Sequence, residues 1–346
     1  MLSKIRASLK NDSFYAIFAN VSDLCQIGDK IMKINGIDFG NVLGAAGVQN
    51  FSGDGYWFHR PYKLLPGLDL SGMTFVSKTV TAGGRAGNMP MNDSCQPKEW
   101  FPKAVKIRFW KKLMLNALGL PSYGINWHLN TMDWQKRREP FMISIAVTRG
   151  TRQGRIDEMN YITDAIDQEG FSAPYGLQVN LSCPNTGHNL SEAVREWDDL
   201  LEIAGFLRVP VMPKFSIASA PMPAVLALEN NSCCDGICLS NTIPFGWKGL
   251  DWKIVWGSEV SPLAKYGGGG LSGPPLLPLV CDYIKCLRDK GFTKPINGGG
   301  GIFCQKDVDS YLQAGASSIF LGTVITLRPW RVKGIIRHAN SLNWPN

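Results

Sequence analysis

The chain has 346 residues, of which 45% are hydrophobic and 18% charged, with a formal net charge of +8. A chain this long can bury a substantial core, and α/β barrels often reach this size as one domain. The basic excess is spread along the sequence without a long Lys/Arg block, which favours small anionic ligands over nucleic acid, and no run of about 18 apolar residues predicts a transmembrane helix.

Residues 1–36 carry helical spacing in part, with Phe14, Ile17, Phe18, Val21 and Leu24 on one face. They predict an N-terminal helical extension ahead of a single barrel domain over 37–346. The extension packs on the barrel or, with Lys4, Arg6 and Lys10, lies on an acidic membrane surface. The N-terminus lacks the apolar core of a secretory signal.

Gly36 to Gly47 reads as a short strand entering a small-residue turn. Ala45, Ala46 and Gly47 leave room there for a flat ligand to touch backbone, although a tight turn alone explains them equally well. Met73 to Lys78 is a second strand, ending in Ser77 and Lys78, and is followed by Arg85-x-Gly87-Asn88. Residues 91–112 form a polar insertion with Trp100, Phe101, Phe109 and Trp110, to which the sequence assigns no role. Leu115 to Gly124 is a turn region containing Asn116, Leu118, Gly119 and Leu120.

Phe141 to Val147 is a third strand and 155–168 a helix. A central strand at 176–181, a helix at 191–207 and a strand at 209–215 carrying Lys214 near its tip follow. This alternation predicts a parallel sheet with crossover helices. Gly236 to Leu239 is a sixth strand, ending in Ser240, Asn241 and Thr242. A Trp-rich insertion spans 244–266 and reads as a packing lid. The glycine run at 267–270 leads through Ser272 and Gly273 to a helix at 275–290. Pro295 to Ile302 supplies strand seven and a second glycine run containing Gly300 and Gly301. Ser318 to Thr323 is strand eight, ending in Gly322 and Thr323. Neither run is a phosphate loop of the G-x-x-x-x-G-K-S/T kind or a dinucleotide fingerprint. Bare backbone N–H groups can still cradle a phosphate, and in (β/α)₈ barrels such a site is commonly built after strands seven and eight. Eight strand signals with polar or glycine tips predict a (β/α)₈ TIM barrel with its site at the C-terminal face.

Nine cysteines, an odd number in a chain too long to need disulfide staples, read as reduced thiols of a cytoplasmic protein. Cys233, Cys234 and Cys238 do not form a metal knuckle and read as core thiols. No metal site is expected. The stretch from Gln178 to Gly187 is chemically the richest. A buried strand delivers Asn180, Cys183 and Asn185 together at its tip, before Pro184 and Gly187 break it into a loop. A thiolate at Cys183 can be a base or a nucleophile, and the carboxamides can donate and accept hydrogen bonds.

The string Asn180-Leu181-Ser182-Cys183-Pro184-Asn185 resembles the signature of the dihydroorotate dehydrogenase family, and further similar stretches run from about Gly36 to Thr326. The resemblance implies FMN-dependent oxidation of (S)-dihydroorotate to orotate in de novo pyrimidine biosynthesis. Cys183 would take a proton from C5 while hydride leaves C6 for flavin N5. Asn116, Asn180, Asn185, Asn241 and Thr242 would surround the pyrimidine, with backbone from Leu118 to Leu120 at its carboxylate and Lys78 reaching both flavin and substrate. Ala45, Ala46 and Gly47 would pack on the flavin. Ser77, Asn180, Lys214 and Ser240 would complete its polar surroundings, with Lys214 at the edge where negative charge develops on reduction. Ser272, Gly273, Gly300, Gly301, Gly322 and Thr323 would hold its phosphate. A homodimer is expected.

Class features are mixed. The Cys base, Lys78 and Arg85-x-Gly87-Asn88 resemble the soluble class, which uses fumarate or a partner carrying NAD-linked electrons. The Ala-Ala-Gly turn, Asn241-Thr242 and the N-terminal leader resemble the quinone-linked, membrane-associated class, although Asn50 stands where that class has Lys. The electron acceptor is therefore not readable, and peripheral membrane contact is one of the expectations. The nearest alternative is a flavin-dependent dihydropyrimidine dehydrogenase or reductase, against which Asn185 and Arg85-x-Gly87-Asn88 speak. A flavin-free phosphosugar lyase or isomerase using Lys214, and a binding protein with a spent site, are the rivals from other classes.

Overall fold

The computed structural model describes residues 32–64, 67–181 and 190–345. Most of the proposed N-terminal extension, together with Cys183 and Asn185, lies outside the described residues. Residues 32–36 depart from the helical expectation. Strands β1 (Lys33–Ile34) and β2 (Ile37–Asp38) pair antiparallel, with Ile34 opposite Ile37. Between them Asn35 and Gly36 both take positive φ, 48° and 77°. Two adjacent positive φ values make the two-residue turn that matches strand twist, and Asn-Gly is the pair that best tolerates it.

The remaining strands are β3 (Val42–Gly44), β4 (Val105–Arg108), β5 (Leu113–Asn116), β6 (Phe141–Ile145), β7 (Tyr175–Asn180), β8 (Val211–Phe215), β9 (Ile237–Leu239), β10 (Ile243–Pro244), β11 (Gly270–Ser272), β12 (Ile296–Gly299) and β13 (Ser318–Leu321). Seven of them form a parallel sheet in the order β3-β13-β12-β9-β8-β7-β6. The predicted second strand is an extended segment without a continuous ladder. Its bridges Leu43 to Thr74, Val76 to Met142 and Val80 to Ile145 span from β3 to β6. Backbone bonds such as Thr74 N to Val42 O (2.8 Å) and Ser77 N to Met142 O (2.9 Å) close the ring at that point. The result is an eight-position barrel of the (β/α)₈ kind.

The crossover helices include α1 (Ile125–Thr131), α2 (Arg152–Asp167), α3 (Leu190–Gly205), α4 (Met222–Ala227), α5 (Leu276–Asp289), α6 (Gln305–Gln313), α7 (Thr323–Leu327) and α8 (Val332–Asn340). Parallel strands covered by helices are buried on both faces, as β6 is over all five residues, four of them apolar. Alternate residues divide between two cores. Val211, Phe215, Ile237 and Leu239 join the shell between strands and helices, whereas Met212 and Cys238 face the barrel interior. There they meet Met142, Leu43, Val76 and Phe320, and the β1–β2 hairpin adds Met32 and Ile34 to the same cluster. The hairpin thus supplies apolar filling to the inside of the barrel.

A second sheet is antiparallel, in the order β10-β11-β5-β4. Both long insertions contribute to it or border it. No helix among the described residues is long and apolar enough to cross a membrane.

Candidate active site

The parallel register carries the side chain after each inward apolar residue to the mouth of the barrel. Asn180 ends β7, Lys214 lies opposite it on β8, and Ser240 to Thr242 follow β9. Ala45 to Gly47 follow β3, Gly300 and Gly301 follow β12, and Gly322 and Thr323 follow β13. All of these line one cavity of about 660 Å³, together with Lys78, Asn116, Leu118, Gly119, Leu120 and Ser272. That volume suits a small-molecule or cofactor site. The antiparallel sheet borders the cavity with Val105 and Ile107 of β4, Met114 and Asn116 of β5, and Ser272 of β11.

The polar groups are held in a connected set. Asn241 Nδ2 donates to Asn180 Oδ1 at 3.2 Å, and Asn241 Oδ1 accepts from the Thr242 amide at 2.9 Å. Ser240 Oγ accepts from the Ile217 amide at 3.1 Å and donates to the Asn241 carbonyl at 2.7 Å. The Asn180 carboxamide is therefore oriented before any ligand arrives, which lowers the ordering cost of binding.

Two buried ammonium groups belong to the same cavity. Lys78 Nζ donates to the Pro121 carbonyl at 2.7 Å and stands 5.0 Å from the centre of the Phe51 ring. Burial pulls its pKa down to about 7, with the nearby Cys95 thiol acting in the opposite direction. Lys214 Nζ lies 4.9 Å from the Phe320 ring centre, and burial lowers its pKa too. Both ammonium groups are buried and both line the cavity, and a positive lining of this kind favours an anionic or electron-rich ligand.

The Arg85-x-Gly87-Asn88 motif acts on the loop that follows β5. Asn88 Nδ2 donates to the Ala117 carbonyl at 2.8 Å and its amide to the Leu118 carbonyl at 2.7 Å. Arg85 and Ser122 exchange backbone hydrogen bonds at 2.7 and 2.9 Å, while the Arg85 side chain is exposed. A Cβ at Gly87, where φ is 57°, would come within 2.5 Å of the Leu118 carbonyl oxygen. The motif therefore fixes the backbone of Leu118 to Leu120 beside the cavity.

Several expected residues stand elsewhere. Ser77 does not line the cavity; its Oγ accepts from the Ser144 amide at 2.9 Å. It precedes Lys78, and the alternation of extended backbone sends the two side chains to opposite faces. Gly273 is also outside the lining; with φ 133°, it packs so closely that a Cβ would meet the Lys112 carbonyl at 2.6 Å. The run Gly267 to Gly270 does not reach the cavity either. A Cβ at Gly269 would lie 2.9 Å from the Asn116 carbonyl, and one at Gly270 would lie 2.1 Å from Thr242 Oγ1. These glycines let β11 approach β5 and Thr242. Only the second glycine run borders the site.

Other residues join the site without having been singled out. Tyr56, Trp57 and Phe58 line the cavity, and the Tyr56 hydroxyl donates to the Gly47 carbonyl at 2.8 Å. An aromatic triplet directly after Gly55 was the available signal. His128 Nε2 accepts from the Tyr123 amide at 3.3 Å and sits 3.2 Å from Ser122 Oγ. Burial lowers its pKa to about 3, so the ring is a neutral brace for the turn that presents Pro121 to Lys78.

The sequence model of the dihydroorotate dehydrogenase family matches residues 31–342. The catalytic subunit of dihydroorotate dehydrogenase B (NAD(+)) from Endomicrobium trichonymphae is 27% identical over 317 residues, covering 90% of each chain. The proteins of that name from Archaeoglobus fulgidus and Bacillus cereus are each 28% identical. The first is matched over 229 residues, 62% of this chain and 68% of the relative. The second is matched over 240 residues, 66% of this chain and 71% of the relative. These matches favour the dihydroorotate reading over the dihydropyrimidine one. The chain belongs to the dihydroorotate dehydrogenase family, a family of oxidoreductases.

Proposed function

We propose that this chain oxidises (S)-dihydroorotate to orotate with FMN as its cofactor, a step of de novo pyrimidine biosynthesis. The observation that carries the reading is the single cavity lined by Asn116, Asn180, Asn241, Lys78 and Lys214.

The residues present fit a flavin. Ala45, Ala46 and Gly47 offer one wall nothing larger than a methyl group. The turn at Gly300 and Gly301 takes φ of 120° and 78°, and a Cβ on Gly301 would come within 2.9 Å of the Leu277 amide nitrogen. That turn, Ser272 and the Gly322-Thr323 start of α7 all line the cavity with small side chains and bare backbone. This chemistry suits a phosphate. Bound FMN would supply the acceptor for the hydride leaving C6 of the substrate.

The chain's own residues do the rest. Asn116, Asn180 and Asn241 orient the pyrimidine through its amide and carbonyl groups, with Thr242 beside them. Lys78 and the backbone from Leu118 to Leu120 meet the substrate carboxylate. Lys214 places a fixed cation where negative charge builds up, and a preorganised charge of this kind needs no reorganisation during the reaction. Cys183 is assigned as the base that removes the C5 proton and Asn185 as a further pyrimidine contact. Support for both is the NLSCPN string, which begins at the last residue of β7.

The named relatives are NAD(+)-linked catalytic subunits. On that likeness we infer that electrons leave this chain for a second subunit, with a homodimer of the present chain at the centre of the assembly. The seven described cysteines are all free thiols, which supports a reducing compartment such as the cytoplasm. The test is anaerobic addition of dihydroorotate to the purified yellow protein, with dihydrouracil as the control. Bleaching by dihydroorotate alone supports the reading. A colourless protein, or a flavin that dihydroorotate leaves oxidised, overturns it. A panel of fumarate, quinone and NAD, with and without the second subunit, then identifies the acceptor.

A further inference from the structure

The insertion that carries β4 presents an unusual exterior. Trp110 is 89% exposed and Phe109 is exposed beside it, while Phe101 (88%), Trp100 and Ile107 are exposed at the rim of the cavity that they also line. Lys98 to Lys112 contains six cations and one carboxylate, and five of the six cations are lysines. The face continues beyond the insertion. Arg328 lies 4.0 Å from the Phe109 ring centre and 5.6 Å from that of the exposed Trp330. Lys111 Nζ donates to the carbonyls of Ile254 and Val255 at 3.1 and 3.3 Å, and the Ile254 side chain is 74% exposed. One contiguous surface therefore alternates large apolar side chains with cations.

We propose that this face docks on the surface of an anionic phospholipid bilayer. The positive excess calls for an anionic occupant and argues against a second copy of the chain, which would set like charge against like. An acidic protein would also meet the charge, but lysine is depleted from protein interfaces. Lysines flanking exposed tryptophan and phenylalanine instead suit the headgroup layer, where aromatic rings sit at the interface and long cationic stems reach the phosphates. Attraction to such a surface grows with each Lys or Arg near it and is screened by salt. The inference rests on the described residues of this face alone and holds whatever the role of Cys183.

The experiment is co-sedimentation of the full chain with vesicles of phosphatidylcholine, with and without phosphatidylglycerol. The chain is expected to pellet with the anionic vesicles, to stay in solution with the neutral ones, and to be released by raised salt. Lys106→Glu and Trp110→Ser, made separately, are each expected to weaken partitioning about tenfold while leaving thermal melting and dihydroorotate turnover unchanged. A chain that ignores anionic vesicles overturns the proposal. So does binding that both variants retain in full, because another part of the chain would then hold the lipid. Capture of an acidic protein that Lys106→Glu abolishes, with vesicles still unbound, would assign the face to a protein partner instead.

Discussion

The floor and the mouth of the barrel come from the same strands and have opposite chemistry. On β8, Met212 belongs to the interior apolar cluster, and two residues later Lys214 enters the cavity. On the neighbouring strand Cys238 does the first, and Ser240, the residue just past its end, does the second. One step of the two-residue repeat separates packing from chemistry. The floor is filled by Met32 and Ile34 from outside the ring, whereas the mouth is bordered by an antiparallel sheet and leaves about 660 Å³ open. The difference teaches that stability and function can be altered independently within one strand.

The strongest way to break this comparison is at the mouth. Cys183→Ala is expected to retain FMN and lose about 10²- to 10⁴-fold in kcat, the usual worth of a positioned general base. An unchanged rate in stopped-flow reduction by dihydroorotate would remove the assigned base. The counterpart on the floor is Met212→Ala. Truncating a buried methionine costs about 2–5 kcal/mol of stability, read by chemical denaturation, while kcat should move less than about twofold. A large kinetic effect with unchanged stability would show that the two regions are not separable.

A smaller effect is expected at the second glycine run. Gly301→Val places a β-branched side chain at φ 78°, against the Leu277 amide. Strain of about 1–3 kcal/mol in this turn should lower FMN retention roughly tenfold, measured by flavin fluorescence after dilution. Gly267→Ala sits in open space at the other run and should keep its flavin.

The smallest expected effect is a pH dependence. Burial holds the Lys78 pKa at about 7, so the ammonium is lost as pH rises through that value and attraction for the substrate carboxylate falls with it. The kcat/KM for dihydroorotate should therefore carry a descending limb near pH 7, of up to about tenfold per unit. Lys78→Arg, charged throughout, should remove that limb while changing the maximum. A limb that stays in place in the variant belongs to another group.

Much of this mouth was legible because short-range alternation places it. Asn180, Lys214 and Ser240 follow from the period of their own strands, and the resemblance carried their roles. Pairings between distant segments were not legible. Nothing local in 105–116 announces that it will join 243–272, so neither the sheet that the two insertions share nor the packing role of Gly267 to Gly270 is legible in the sequence. Ser77 was misplaced by parity, since its neighbour Lys78 takes the inward face. The helical spacing in 1–36 rests on Phe14 to Leu24, and it does not extend to Asn35-Gly36, a pair suited to the hairpin turn that stands there. The Arg85-x-Gly87-Asn88 motif was visible, but its work as a backbone clamp on Leu118 to Leu120 required coordinates.

The central claim is that the pyrimidine and the flavin share the one cavity at the strand tips. The most direct measurement is a crystal structure of the chain with FMN and orotate. The account predicts orotate within hydrogen-bond distance, about 2.7–3.2 Å, of the carboxamides of Asn116, Asn180 and Asn241, with the FMN phosphate at Gly300-Gly301 and Gly322-Thr323. Orotate bound instead in the open cleft between Gly84 and Arg149, or a flavin phosphate away from both turns, would contradict it.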